Sequence, residues 1–310
     1  MAQKHYLWQN KYAKHMQLTI EDKYRTYYPP KSQLLKWVGN KQKFAAEITK
    51  YFPAEFGRFF EPFLGSGAII ATVAPHNGMG SDTFKPLMQI WEMLKLNPKE
   101  LVSWYAERWD EIGKKSKEEV YSKVLASYNS SPNGPDFLFL SRSCYGGIIR
   151  FRKADGYMST PCGVHDPISV EGFAKRVNEW KNRLSKVDFV HCDYREAFKK
   201  AKSGDFIYCD PPYSHSQSIL YGAQDFRLED LLSEIEKAKS KGVRVALSID
   251  GHKKSGNHLC DLPIEHGLFE NELYVNCGRS MLRRFQLEGQ TLEDENVSDR
   301  LLLSYSLSEF

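Results

Sequence analysis

The tetrapeptide Asp210-Pro211-Pro212-Tyr213, directly after the apolar run Asp205-Phe206-Ile207-Tyr208-Cys209, constrains this chain more than any other feature. A short apolar run bounded by a turn signal reads as a buried strand. The tetrapeptide then sits just beyond a strand's carboxyl end, the place where open α/β sheets bind ligands. The plain alternative is an ordinary Pro-Pro turn.

A second segment points to the same kind of sheet. Arg58-Phe59-Phe60-Glu61-Pro62-Phe63-Leu64-Gly65-Ser66-Gly67-Ala68-Ile69-Ile70 has the pattern of a strand, a tight glycine turn and the opening of a helix. A nucleotide-like ligand meets a helix N-terminus in that geometry. The third glycine of the dinucleotide fingerprint is missing, and no Gly-Lys-Ser/Thr follows, so pyrophosphate cofactors are disfavoured. Met79-Gly80-Ser81-Asp82 reads as the end of another short strand. Asp82 is then placed to accept hydrogen bonds from ribose hydroxyls, or to cap the following helix.

The chemistry that suits Asp210 to Tyr213 is attack by an exocyclic amino nitrogen. Its lone pair is delocalised into the ring, so two acceptors aimed at its hydrogens would draw it towards tetrahedral geometry. The Asp210 carboxylate offers one and the Pro211 carbonyl the other, with no N–H at either proline to compete. Tyr213 supplies a flat face for a planar base.

With these motifs in order, the chain resembles the Dam-like, α-class DNA adenine-N6 methyltransferases that use S-adenosylmethionine. The resemblance runs from about Lys36 to Ser306. Lys36-Trp37-Val38-Gly39-Asn40-Lys41 is similar to the family's cofactor segment, and Glu61 to Ala68 to its glycine loop. Cys192-Asp193-Tyr194 resembles the pair that holds the cofactor's adenine. Arg142-Ser143-Cys144-Tyr145-Gly146-Gly147-Ile148-Ile149-Arg150 and Gly156-Tyr157-Met158-Ser159-Thr160-Pro161-Cys162-Gly163 resemble the two arms of its DNA-reading hairpin.

The resemblance implies catalysis by Asp210, Pro211, Pro212 and Tyr213. It implies cofactor contacts from Trp37, Val38, Lys41, Glu61, Pro62, Phe63, Gly65, Gly67, Asp82, Asp193, Tyr194 and Asp210. It also implies DNA contacts from Arg142, Tyr145, Ile148, Arg150, Arg152, Lys153 and Pro161. S-adenosylmethionine is the expected methyl donor, S-adenosylhomocysteine its product, and no metal is expected. Gly146 stands where many relatives carry Asn, and Arg150 to Pro161 is one residue longer than usual, so the target sequence is left open. Ala246-Leu247-Ser248-Ile249-Asp250 lacks the Asn of a family Leu-Ser-Asn stretch.

Composition is consistent with one cytoplasmic enzyme. The 310 residues, 41% hydrophobic, are enough for one large domain with a smaller insertion. No apolar run approaches the roughly 20 residues a membrane span needs. Six scattered cysteines without a Cys-x-x-Cys pair suggest reduced thiols. The net charge of +4 is mild, so local charge matters more. Arg142, Arg150, Arg152 and Lys153, interleaved with Tyr145 and Phe151 and free of acids, suit contact with phosphates and bases. A second cluster, Arg279, Arg283 and Arg284, fits a solvated turn nearly as well as phosphate contact.

The remaining pattern divides the chain into an N-terminal extension (1–30), a catalytic domain (31–88 and 187–310) and a target-recognition insertion (89–186). Helices are predicted over Lys41 to Tyr51, Lys85 to Leu96, Lys99 to Ile112 and Leu228 to Lys241. Val243 to Ile249 reads as a strand, and Glu272 to Cys277 and Arg300 to Leu307 as a final antiparallel pair. The expected fold is α/β: a Rossmann-like, mostly parallel methyltransferase sheet whose last strand is antiparallel, with an inserted helical and β-hairpin domain. The expected partner is double-stranded DNA, from which an adenine is flipped, in a bacterial or phage restriction-modification setting with a cognate endonuclease; the protein is expected to act as a monomer and away from membranes. Cytosine-N4 methylation, disfavoured by Asp210, and a non-catalytic DNA-binding subunit are the alternatives.

Overall fold

The computed structural model describes residues 26–152, 154–212, 226–250, 267–279 and 296–307. Expectations that fall on residues 1–25, Lys153, Tyr213, Arg283 and Arg284, and on the side chain of Arg279, lie outside the described residues.

Seven strands form one sheet. They are β1 (Phe59–Glu61), β2 (Gly78–Asp82), β3 (Val187–His191), β4 (Phe206–Cys209), β5 (Arg244–Asp250), β6 (Asn271–Arg279) and β7 (Asn296–Leu303). Their order is β3-β2-β1-β4-β5-β7-β6. β1 to β5 pair in parallel, and β7 lies antiparallel between β5 and β6. The expected α/β architecture, with its antiparallel last strand, is the one observed. From β1 the chain steps outward through β2 to β3, then returns to place β4 on β1's other side. The order therefore reverses between β1 and β4, and a crevice opens there at the strands' carboxyl ends.

β1 and β4 are buried along their whole length, as strands covered on both faces must be. Alternate residues feed opposite faces. Phe59, Phe206, Tyr208 and Ala246 enter one buried cluster, while Phe60, Ile207, Cys209 and Val245 enter the other. On the second face lie α8 (Tyr194–Lys200) and α9 (Leu228–Ser240), burying Ala197, Phe198, Leu231 and Ile235. The first face is covered by α1 (Ala45–Thr49), α2 (Ala68–Val73) and α3 (Lys85–Leu96). Its cluster continues through α4 (Pro98–Trp109), α5 (Lys117–Ser130), α6 (Gly134–Ser143) and α7 (Val170–Arg183). The helical region expected as an insertion thus shares a continuous core with the sheet, and its expected start at residue 89 falls inside α3.

Two local differences from the sequence reading have clear causes. The helix expected over Lys41 to Tyr51 is reduced to Ala45–Thr49. The Gln42 amide donates to Asn40 Oδ1 at 2.8 Å and the Phe44 amide to the Lys41 carbonyl at 2.8 Å, so residues 40–44 form a turn that leaves Lys41 buried. The segment Tyr145 to Gly163 is a hairpin held by two isolated bridges, Cys144 with Cys162 and Phe151 with Met158, and not by a regular ladder. A tight turn at Tyr145–Gly147, with Gly146 and Gly147 at φ 63° and 67°, breaks the first arm. Thr160 Oγ1 then substitutes for ladder bonds, accepting from the Arg150 amide at 2.8 Å and donating to the Ile148 carbonyl at 3.0 Å.

Candidate active site

Each acid of the crevice is placed by a strand end. Glu61 is the last residue of β1, Asp82 the last of β2, and Asp210 follows β4 directly. Between them opens a cavity of about 550 Å³. Trp37, Val38, Lys41, Glu61, Pro62, Phe63, Gly65, Asp82, Asp193, Tyr194, Asp210 and Pro212 line it, so all the residues expected around the cofactor meet there except Gly67. Gly67 has φ 62° and stands at the N-cap of α2, just behind the wall. Pro211 is buried and Pro212 half-buried beside Asp210.

The glycine turn is shaped by two tryptophans. Gly65 has φ 45°, and a Cβ there would come within 2.7 Å of Trp37 Nε1, so both conformation and space demand glycine. Trp91 Nε1 donates to the Gly65 carbonyl at 3.2 Å from the other side. Asp82 Oδ2 accepts the Gly65 amide at 3.1 Å, and its Oδ1 accepts the Phe84 amide at 3.0 Å. The N-cap of α3 is Phe84, so Asp82 ties β2 to the glycine turn and to the approach of the helix without being its cap residue.

The electrostatics are dominated by buried carboxylates. Burial pushes the Glu61 carboxyl well above the usual carboxylate range; the Ile70 amide, donating at 2.7 Å, opposes this, and Asp210 and Asp82 add repulsion. Burial also raises Asp82, against the backbone amides of Phe84, Gly65 and Thr83. Lys41 enters from the turn below α1, and its Nζ lies 3.2 Å from Asp210 Oδ1, with only 8% of its side chain exposed. Such a pair, largely removed from water, fixes the position of the carboxylate it neutralises.

An aromatic wall completes the cavity. Phe63 and Tyr194 stack with centroids 5.2 Å apart, and Phe226 meets Phe63 edge-on at 5.7 Å. Asp193 caps α8, accepting the Arg195 amide at 2.9 Å, while Arg195 pairs with both Asp193 and Asp230. Phe84, Arg195 and Phe226 line the cavity but were not singled out in the sequence. For Phe226 no nearby motif signals it; for Phe84 and Arg195 the only clue is their position next to Asp82 and Tyr194.

The residues expected to meet DNA separate into two groups. Tyr145, Arg150, Arg152 and Pro161 are exposed. Arg152 forms a two-bond pair with Asp155 at 3.1 and 2.7 Å, and its guanidinium lies 4.2 Å from the Tyr157 ring centroid, bracing the hairpin tip. Arg142 is instead turned inward. It donates to the Leu34 carbonyl at 2.6 Å and the Gln33 carbonyl at 3.3 Å, and burial, with Arg176 beside it, pulls its guanidinium down to about 10. Arg142 is therefore a strut, which corrects the expectation that it meets a phosphate. Ile148 is only 6% exposed and Ile149 1%. Ile148 and Ile149 are both buried while Arg150 is exposed, so alternation fails along this stretch, where the Thr160 hydroxyl stands in for the ladder; Ile148 is packed in this structure and not presented to DNA.

Residues 37–266 match the family model of the D12 class N6 adenine-specific DNA methyltransferase. Among curated proteins, the DNA adenine methylase of Vibrio cholerae serotype O1 is 27% identical over 227 residues, 69% of this chain and 79% of that protein. The Type II methyltransferase M1.LlaDCHI of Lactococcus lactis subsp. cremoris is 27% identical over 230 residues, with the same coverage of each chain. The Retron Ec67 DNA adenine methylase of Escherichia coli is 28% identical over 227 residues, 70% of this chain and 76% of that protein. A solved rRNA methyltransferase, aviRa from Streptomyces viridochromogenes, aligns over 86% of each chain at 8% identity and a TM-score of 0.35, too slight a likeness to bear on the reading. Motif order, sheet topology and family match agree: the chain belongs to the D12 class N6 adenine-specific DNA methyltransferases and is an enzyme that methylates adenine in DNA.

Proposed function

We propose that this enzyme takes its methyl group from S-adenosylmethionine, releases S-adenosylhomocysteine, and acts on N6 of an adenine flipped out of double-stranded DNA. The observation that carries the reading is the Asp210 carboxylate, held at the carboxyl end of β4 by Lys41 at 3.2 Å and facing the cavity. The lining fits the cofactor. Glu61 and Asp82, both raised by burial, favour a cationic ligand that stabilises their ionised forms, and S-adenosylmethionine carries a sulfonium and an ammonium group. Phe63, Tyr194 and Phe226 offer faces for its adenine. Asp82 has a lone pair left for a ribose hydroxyl beyond the backbone amides it accepts. When bound, the cofactor supplies an electrophilic methyl group.

The protein's own part is to present the amine. Asp210 accepts one N6 hydrogen and the Pro211 carbonyl the other, and both interactions strengthen as the nitrogen leaves planarity. Tyr213 stacks on the extruded base. Flipping costs a few kcal/mol in lost stacking and pairing, offset in part by basic residues on the phosphates. Arg150 and Arg152 are the exposed candidates, with Lys153 beside them in sequence. A restriction-modification setting, with a cognate endonuclease, draws support from relatives named as Type II methyltransferases.

The test is single-turnover methyl transfer by Asp210→Ala. Loss of one preorganised electrostatic partner commonly costs about 10²–10³ in rate. The reading requires a loss of that order with DNA affinity largely kept; more than half the wild-type rate would refute it.

A further inference from the structure

Two of the cysteines face each other across the base of the hairpin. Cys144 closes α6 and Cys162 lies in the returning arm, paired in an antiparallel bridge. Hydrogen bonds flank this bridge on both sides: the Tyr145 amide donates to the Pro161 carbonyl at 2.8 Å, and the Gly163 amide to the Ser143 carbonyl at 2.8 Å. Cys144 and Cys162 are thus a non-hydrogen-bonded pair, in which Cα atoms approach to about 4.5 Å and the side chains stand close on one face. A disulfide needs Cα atoms roughly 4.4–6.8 Å apart, a range into which pairs of this kind fall.

The surroundings agree. Both sulfurs influence the ionisation of Tyr121, whose hydroxyl donates to the Thr160 carbonyl at 2.7 Å, so the two thiols converge beside one side chain. The thiols make weak carbonyl contacts, Cys144 with Ser141 at 3.8 Å and Cys162 with Gly163 at 3.6 Å. They are unbridged in this structure, and no metal-holding group of acidic, His and Cys side chains occurs among the described residues. Cys144 is buried and Cys162 half-buried, which sets the order in which a reagent reaches them.

We propose that Cys144 and Cys162 form a thiol–disulfide modification site, converted by a small-molecule disulfide into a cross-strand disulfide that clamps the base of the hairpin. The Cys162 thiolate attacks one sulfur of the external disulfide, forming a mixed disulfide and expelling one thiolate, which takes up a proton. The Cys144 thiolate then attacks the Cys162 sulfur, closing the protein disulfide and expelling the second thiolate. Two cysteine thiols are oxidised, the external disulfide is reduced to two thiols, and the two cysteine protons end on them. Burial pushes the Cys144 thiol up to about 12 and also raises Cys162, so exchange is slow at neutral pH and quickens as pH rises. The clamp joins the segments carrying Tyr145 and Pro161 and ties down the arms between them.

The experiment incubates the intact chain with oxidised glutathione at mildly alkaline pH, quenches with acid, and maps cysteines by mass spectrometry of a non-reducing digest. The expected product is a peptide pair linked through Cys144 and Cys162, reversed by dithiothreitol, with proteolysis between Arg150 and Arg152 slowed in the oxidised protein. In Cys144→Ser the linked pair is absent and glutathione stays on Cys162. In Cys162→Ser the buried Cys144 stays unmodified. Stable glutathione on Cys162 of the wild-type protein, or a Cys144–Cys162 link that forms only after denaturation, would overturn the proposal.

Discussion

The cavity and the hairpin occupy one molecule but are held by different means. In the cavity, three acids sit at the ends of parallel strands whose ladder bonds fix them, and backbone amides of Gly65, Ile70 and Phe84 hold two of the carboxylates in place. In the hairpin, the described arms meet at two isolated bridges with a few main-chain bonds beside them, and the second arm is further secured by side chains of α5. Asn129 exchanges two hydrogen bonds with Met158, at 3.1 and 2.7 Å, and Tyr121 reaches the Thr160 carbonyl. Main-chain bonds hold two of the acids in the first region, whereas in the second particular side chains supplement a sparse main-chain pairing. Main-chain positioning tolerates sequence drift around the acids, whereas side-chain positioning lets the reading surface change with a few substitutions.

Arg142 breaks or confirms this division most sharply, since it is part of the scaffold despite lying in the basic stretch. Arg142→Ala leaves the Leu34 carbonyl without its Arg142 donor, a loss costing about 1–3 kcal/mol, while the Gln33 carbonyl keeps the Arg176 guanidinium at 2.8 Å. Denaturant unfolding is expected to show a loss of roughly 1–3 kcal/mol, while the salt dependence of DNA binding keeps its slope. A slope reduced by about 1 with unchanged stability would put Arg142 on a phosphate after all.

Asp82 tests the cavity side. Asp82→Ala is expected to weaken S-adenosylmethionine binding by about 1.5–3 kcal/mol in calorimetry, the value of hydrogen bonds to a charged group. Unchanged affinity would restrict Asp82 to holding the glycine turn.

Arg150 tests the hairpin side. Its fork suits the O6 and N7 edge of guanine, so Arg150→Ala should cost roughly 1–3 kcal/mol on the cognate site and relax discrimination at one base pair. Methylation of a full set of singly substituted sites gives the answer, and a uniform loss across the set would mean phosphate contact only.

The smallest effect concerns Glu61. Its carboxyl is raised in the fold, so the folded chain binds that proton more tightly than the unfolded one. Stability therefore falls as pH rises from the ordinary carboxylate range through the raised value, by at most about 1.4 kcal/mol per pH unit. Glu61→Gln should flatten that slope in denaturant unfolding across pH, and an unaltered slope would show that another group causes it.

The same contrast explains what could be read from the sequence. Buried apolar runs ending in Glu61, Asp82 and Asp210 revealed the sheet and the cavity floor, because parallel ladders make strand ends predictable. The Lys41–Asp210 pair was not legible as such, since Lys41 reaches Asp210 only because Asn40 turns the chain where a helix was expected. The basic stretch looked uniform, yet Arg142 points in and Arg150 out; the difference rests on where the carbonyls of residues 33 and 34 pass, which no local pattern encodes. Ile148 was misplaced for a related reason, because alternation fails between Ile148 and Arg150, where the Thr160 hydroxyl stands in for the ladder. Phe226 joins the aromatic wall through tertiary packing alone.

The central claim, amine methylation of adenine at Asp210, is tested most directly by transferring tritiated methyl groups from S-adenosylmethionine to mixed genomic DNA and separating the nucleosides after digestion. The account predicts label in N6-methyladenine, lost in Asp210→Ala. Label in N4-methylcytosine, or none with the wild-type chain, would contradict it.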